Sequence, residues 1–495
     1  MSLRTSRLAL GAAVAALLVV ACSAASEDPS STSGATEDAL SLGLGTLPVP
    51  LSPPIAGIFQ QQVDHPTSGT SALGTFAQRY WYSTQYASGP DAPVLFYIEG
   101  EAEADPDDAS DIADSAKTLG AAIVVLEHRY YGQSNPFPQK TLANMQYLTI
   151  HEALEDLATF ETWAKTNLPL AGKWIAVGGS YAGTLSAFYR ETHPELVVGA
   201  WASSAPVDIT KAFWGYDKIV ATALGPSCTK LFQTALADAT TAYADPTQRA
   251  ALSTALFGGD WGPGDLAGFL DAISSIPEWD AQYGSQKYFC QPLEANPTNP
   301  LEGVILAYNP PSDDGGVDGG SGSDAGVRAT RAGGTVTSHS TQHHAMQRLV
   351  KPAVQDDFTG SEWFYQVCTE VGFYQIYNPD RAVSVMSTFM DSAYYDAECE
   401  QFVGRTPDAA TAKATYFAPI KAGKVSNVLF VSGTLDPWSQ LTFDHPSAPP
   451  AGCATFAVEN GSHCEDLYPL SKYSTSGDIG AHKKFWSLAK EWLAS

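Results

Sequence analysis

Apolar residues along this chain alternate between two patterns. Unbroken apolar runs at 94–98, 121–126, 174–177, 199–203, 427–432 and 454–458 have the length of strands buried on both faces. Between them, residues 148–168 repeat apolar positions at a mostly helical period through Ala153, Leu154, Leu157, Ala158, Phe160 and Trp163, and residues 184–192 read as a second helix. Alternation over 74–82, through Phe76, Tyr80 and Tyr82, predicts a hairpin strand ahead of the buried ones, and ordered structure is expected from about Phe59. Strands alternating with helices predict an α/β chain with a mainly parallel sheet covered on both faces. From 207 to 418 helical periods dominate, as at 229–244 and 382–390, and clear strands are absent. That stretch reads as a helical cap inserted into the sheet, which divides the chain into a first core segment at 56–206, the cap at 207–418 and a second core segment at 419–495.

Three of the strands end in chemistry. The run at 174–177 leads into Val177-Gly178-Gly179-Ser180-Tyr181-Ala182-Gly183 and then directly into a helix. A serine at the tip of a tight strand-to-helix turn is the nucleophile elbow of the α/β-hydrolase fold. The serine hydroxyl is a weak nucleophile unless it is exposed, aimed and next to a base. Glycines beside it keep bulk away, and the N–H of Tyr181 at the helix N-terminus faces the place where an oxyanion develops. The usual pattern has glycine two residues after the serine, where this chain has Ala182.

Past the strand at 427–432 comes Gly433-Thr434-Leu435-Asp436-Pro437-Trp438, and past the one at 454–458 comes Glu459-Asn460-Gly461-Ser462-His463. A carboxylate and then a histidine, each on the loop after a strand, complete the chain order serine, acid, histidine of α/β-hydrolases. Ser180 is therefore the expected nucleophile, Asp436 the acid and His463 the base.

Composition narrows the partners. The chain has 495 residues, is 44% hydrophobic and carries a net charge of −26. That charge repels nucleic acid and basic-patch docking to membranes. Residues 1–21 have the form of a signal peptide: Arg4 and Arg7 precede an apolar run at 8–20 too short to span a bilayer. Val19-Val20-Ala21-Cys22 resembles a bacterial lipobox, so Cys22 is the expected lipidated first residue and a lipid the expected sole membrane contact; the alternative is an ordinary secretory signal cleaved near Ala21 to Ala25, giving a secreted protein. Residues 22–55, poor in large apolar side chains until Leu40, read as a flexible tether. Six further cysteines, Cys228, Cys290, Cys368, Cys399, Cys453 and Cys464, suit disulfides in an exported protein. Fifteen pairings are open; proximity favours Cys368–Cys399 and Cys453–Cys464, leaving Cys228–Cys290. The Gly/Asp/Ser run at 309–344 lacks EF-hand spacing, and His339, His343 and His344 have no second ligand cluster, so neither metal nor cofactor is expected.

Taken together, Phe59 to His65, Gln78-Arg79-Tyr80, Glu127-His128-Arg129-Tyr130-Tyr131-Gly132, the elbow, Gln366-Val367-Cys368-Thr369-Glu370 and Leu435-Asp436-Pro437-Trp438-Ser439 resemble the prolyl carboxypeptidase and dipeptidyl-peptidase II family of serine peptidases. The resemblance spans roughly 59–490 and breaks at the Gly/Asp/Ser insertion. It implies a cap that restricts substrates to peptide ends, a preference for proline or alanine on the acyl side of the scissile bond, and Trp438 in the wall of the acyl-side pocket. Within the Glu127 to Gly132 block, Glu127, Arg129 and the tyrosines are expected to brace the loop under the active site, with His128, and His65 beside Asp64, structural. Two departures stand out. The family's glycine-rich oxyanion segment is here Glu99-Gly100-Glu101-Ala102-Glu103, leaving Gly100 as the candidate second donor, and no arginine follows His463. The expected function is a serine exopeptidase acting on peptides. An esterase or lipase of the same fold, or an inactive hydrolase fold used for binding, are the alternatives.

Overall fold

The computed structural model describes residues 51–67, 69–309, 361–443, 449–471 and 474–495. Its centre is an eight-stranded sheet built, among the described residues, from β1 (Ile55–Gln62), β2 (Thr75–Ser83), β3 (Val94–Ile98), β4 (Ala122–Leu126), β5 (Trp174–Gly179), β6 (Val197–Ser203), β9 (Val428–Gly433) and β10 (Ala454–Val458). The spatial order is β1-β2-β4-β3-β5-β6-β9-β10, with β2 antiparallel to β1 and β4 and every later pair parallel. This is the α/β-hydrolase fold.

Strand alternation feeds two apolar layers. Val94, Phe96 and Ile98 face one layer with the helices α2 (Ile150–Asn167) and α3 (Ser180–Thr192). Leu95 and Tyr97 face the other, with α1 (Ala113–Leu119) and α10 (Ser476–Ala494). A strand buried on both faces needs apolar residues at every position, which is why the central runs read as continuous. The hairpin begins at Ile55, ahead of the expected Phe59, because the whole of β1 pairs in register with β2.

Between β6 and β9 lie α4 (Gly215–Ala244), α5 (Pro246–Phe257), α6 (Leu266–Gln282), α7 (Gln286–Ala295), α8 (Pro300–Tyr308) and α9 (Ser392–Phe402). The cap is thus largely helical, with two departures from the expected pattern. Strands β7 (Thr210–Phe213) and β8 (Gly372–Gln375) pair in parallel. Each is four residues long and its partner is distant in sequence, so no periodicity betrays it; a Cβ at Gly372 would lie 2.5 Å from Lys211 Cα. The second departure is residues 382–390, which do not form a helix beyond the short turn Arg381–Val383. The buried carboxylate of Asp217 on α4 takes hydrogen bonds from the N–H groups of Asn378 and Val385 and the Ser384 hydroxyl, holding this backbone in a non-helical path.

Disulfides Cys228–Cys290 and Cys368–Cys399 form as expected, both within the cap. The expected Cys453–Cys464 bridge does not form: Cys453 is a free thiol. Cys453 lies ahead of β10 with its Sγ against the Val425 carbonyl, before β9 begins, whereas Cys464 bonds Ser204 past the end of β6. The two therefore sit at opposite edges of the parallel sheet, and Cys464 is held in a different disulfide. Cys22, the signal segment and the insertion histidines lie outside the described residues. Among the described residues no helix is long and apolar enough to cross a membrane.

Candidate active site

Ser180 begins α3 at the C-terminal end of β5 with φ of 54°, the left-handed conformation of a sharp elbow. The turn depends on its glycines: a Cβ at Gly178 would lie 2.5 Å from the Ala182 carbonyl oxygen, and one at Gly183 2.6 Å from that of Ser203. Ala182 is accommodated because Gly100, from the segment after β3, faces it. A Cβ on Gly100 would come within 3.3 Å of the Ala182 nitrogen and 3.4 Å of its Cβ. Tyr181 lies in the first turn of α3, where backbone N–H groups have no intrahelical acceptor.

Asp436 follows β9 and His463 follows β10, at the same edge of the parallel sheet as Ser180. His463 Nδ1 and Asp436 Oδ1 are 2.9 Å apart, and both side chains are fully buried. The backbone N–H of Trp438 donates to the same Asp436 oxygen at 2.9 Å. The imidazole is thereby oriented by a carboxylate that is itself held. Among the described residues its Nε2 has no hydrogen-bond partner. The loop is pinned from two sides: Ser204 Oγ accepts from the N–H of Cys464 at 2.8 Å, and Glu465 accepts from that of Ser462 at 2.7 Å.

Several residues that pattern alone did not single out complete the site. Gln282, at the end of α6, accepts the Trp438 indole N–H at 3.1 Å and the Tyr216 hydroxyl at 2.9 Å. The ring of Tyr283 stands edge-on to His463 with centroids 6.2 Å apart. Gln366 bridges two tyrosines, accepting from the Tyr131 hydroxyl at 2.6 Å and donating to that of Tyr181 at 2.8 Å. Glu101 is buried beside Ser180; desolvation pushes its carboxyl up to about 8, so it is neutral at pH 7. The acidic run after β3 was visible in the sequence, but its burial was not.

The Glu127 to Gly132 block is a brace. Arg79 pairs with Glu127, whose carboxylate also takes the Ser134 hydroxyl and the Gln133 N–H. Arg129 donates twice to Asp156, with His65 on the same carboxylate at 2.7 Å. His128 is buried with Nδ1 2.7 Å from the Arg129 carbonyl, and burial pulls its pKa down to about 4. Trp438 is buried among Phe213, Tyr216 and Phe373, at ring distances of 6.3, 5.1 and 5.6 Å.

The sequence matches the serine carboxypeptidase S28 family over residues 61–260 and 326–485. It is 30% identical over 481 residues to the thymus-specific serine protease of Mus musculus, covering 91% of this chain and 90% of that protein. The Homo sapiens protein of the same name is 29% identical over 501 residues, covering 91% and 89%. The lysosomal Pro-X carboxypeptidase of Homo sapiens is 37% identical over 169 residues, covering 33% of this chain and 32% of its own.

Proposed function

Because the chain belongs to the serine carboxypeptidase S28 family and is a serine-type peptidase, we propose that it is an exopeptidase cleaving after proline, or more slowly alanine, through Ser180, Asp436 and His463. The observation that carries this reading is the buried 2.9 Å bond between His463 and Asp436, set at the same sheet edge as a serine with φ of 54°.

In this reading His463 Nε2 removes the Ser180 proton as Oγ attacks the carbonyl carbon, and Asp436 stabilises the resulting imidazolium. The oxyanion is met by the N–H groups of Tyr181 and Gly100, which the Gly100–Ala182 contact brings close together. Neutral Glu101 adds no charge against it. The imidazolium gives its proton to the leaving amine, and water then cleaves the acyl-enzyme by the same steps in reverse.

The aromatic wall of Trp438 and Phe373 suits a proline ring, which has no N–H to satisfy and buries a flat apolar surface. A methylene-scale difference in such a pocket is worth about 1–3 kcal/mol, which sets the expected lead of proline over alanine. Export through the signal at 1–21 and anchoring at Cys22 belong to the same proposal, and the disulfides Cys228–Cys290 and Cys368–Cys399 fit an oxidising compartment. The test is a set of peptides differing only at the acyl-side residue. Proline should lead and alanine follow, with leucine rejected by overlap. Equal rates for proline and leucine would remove the pocket assignment, and hydrolysis of aliphatic esters with no peptide cleavage would make the chain an esterase.

A further inference from the structure

A cleft opens inside the cap with Trp438 in its wall. It is tied to the reacting groups at two points. The Trp438 N–H holds Asp436 at 2.9 Å, and Trp363, also in the wall, packs its ring 5.4 Å from that of Tyr181, the residue after Ser180. Most of the lining is aromatic or aliphatic.

Two carboxyls interrupt that lining. Asp271 and Glu278 both line the cleft from α6, two helical turns apart and so on one face. Glu278 is 4% exposed, and its Oε1 has no hydrogen-bond partner among the described residues. Asp271 accepts the Tyr394 hydroxyl at 3.1 Å. No Lys, Arg or His lines the cleft among the described residues. The titratable groups around the pair are acidic or phenolic: Asp265 ahead of α6, Asp217 and Tyr216 on α4, and Tyr394, Tyr395 and Glu398 on α9. Without a cation, burial pushes Asp271 up to about 7 and Glu278 well above the ordinary carboxyl range.

An apolar cleft carrying two uncompensated carboxyls repels a free carboxylate and gains by taking up an ammonium, which restores the charge balance that burial denies. Aromatic walls add to the attraction for a cation. We propose that Asp271 and Glu278 bind the free α-ammonium of the substrate, so that this chain removes short peptides from the amino end rather than residues from the carboxyl end. The inference rests on the proposed acyl-side position of Trp438: a peptide whose proline packs against that indole continues toward its own N-terminus into the cleft. A long acyl-side chain would have to bury an uncharged peptide group where the ammonium belongs.

The experiment uses the full chain and short peptides with proline at the acyl side, each made with a free or acetylated amino end and a free or amidated carboxyl end. Fluorophosphonate labelling is run in parallel. Acetylation should lower kcat/KM by about 30-fold or more, the scale of a buried charge pair losing one partner, while amidation should change it little. Glu278→Gln, close in shape, should raise KM for free-amine peptides, leave kcat and labelling near wild type, and shrink the acetylation penalty. Asp271→Asn should do the same more weakly, since its carboxyl already has a tyrosine partner. If acetylated peptides are cleaved as fast as free ones, or if amidation is the damaging change, the inference is overturned while the peptidase reading stands. Loss of both labelling and cleavage in the wild type would overturn both.

Discussion

The backbone N–H of His463 donates to the carbonyl oxygen of Gln282, 2.9 Å away. One hydrogen bond thus joins the loop after the last strand to the end of a cap helix, and the Gln282 side chain extends the joint to Trp438 and Tyr216. The cap is more than a lid over the sheet, since it helps set the position of the imidazole.

Replacing Gln282 by leucine keeps the backbone bond but strands two buried donors, the Trp438 indole N–H and the Tyr216 hydroxyl. A stability loss of about 1–3 kcal/mol is expected from such groups. Urea unfolding measures it, and the variant should also discriminate proline from alanine less well because Trp438 loses its anchor. Wild-type stability would show that the side chain does not hold the joint.

Stability should fall as pH rises from 5 to 8. Burial raises Asp108, Glu370, Asp466 and Asp478 to about 7 and Glu101 to about 8. Between the unfolded carboxyl range and those values the folded state holds more protons than the unfolded one, so each unit of rising pH costs stability. His128 and His482, pulled down to about 4, act the other way only below about pH 6.5 and are outnumbered. A Tm higher at pH 8 than at pH 5 would contradict this balance.

Glu101 gives the rate its own pH dependence. Its ionisation near pH 8 places a negative charge beside Ser180, where the oxyanion must form. The facing phenols of Tyr131, Tyr181 and Tyr283 are all raised by burial and stay neutral there. The expected result is a fall in kcat between pH 7 and 9 in the wild type and its absence in Glu101→Gln. An unchanged alkaline limb in that variant would clear Glu101 of the effect.

Location turns on Cys22. Full-length protein made in a bacterium should partition with membranes, and Cys22→Ser should release it. A mature N-terminus beyond Cys22, found by mass spectrometry, would rule the anchor out.

How much of this was legible follows from what each element depends on. The central strands were readable because burial on both faces forces unbroken apolar runs, and β3 and β10 fall where those runs lie. Ser180, Asp436 and His463 stood out because each ends such a run. The pairing of β7 with β8 was hidden, since four-residue strands joined across the cap leave no period. The backbone at 382–390 was misread as helix because its path is set by Asp217, far away in sequence. Gln282 and Glu278 looked like ordinary polar residues of a helix. Only the fold reveals that one meets the histidine loop and the other lines a cleft. Cys453 and Cys464 look paired by proximity, yet the chain between them crosses the sheet, from Val425 at one edge to Ser204 at the other.

The central claim is that Ser180 is a nucleophile activated by His463. Its most direct measurement is labelling with a fluorophosphonate probe followed by mapping of the modified peptide, in the wild type, Ser180→Ala, His463→Ala and His128→Ala. The account predicts one adduct, on Ser180, in the wild type; none in Ser180→Ala; labelling and turnover reduced at least ~10³-fold in His463→Ala; and a far smaller loss in His128→Ala. Undiminished labelling of Ser180→Ala, or a larger loss in His128→Ala than in His463→Ala, would contradict it.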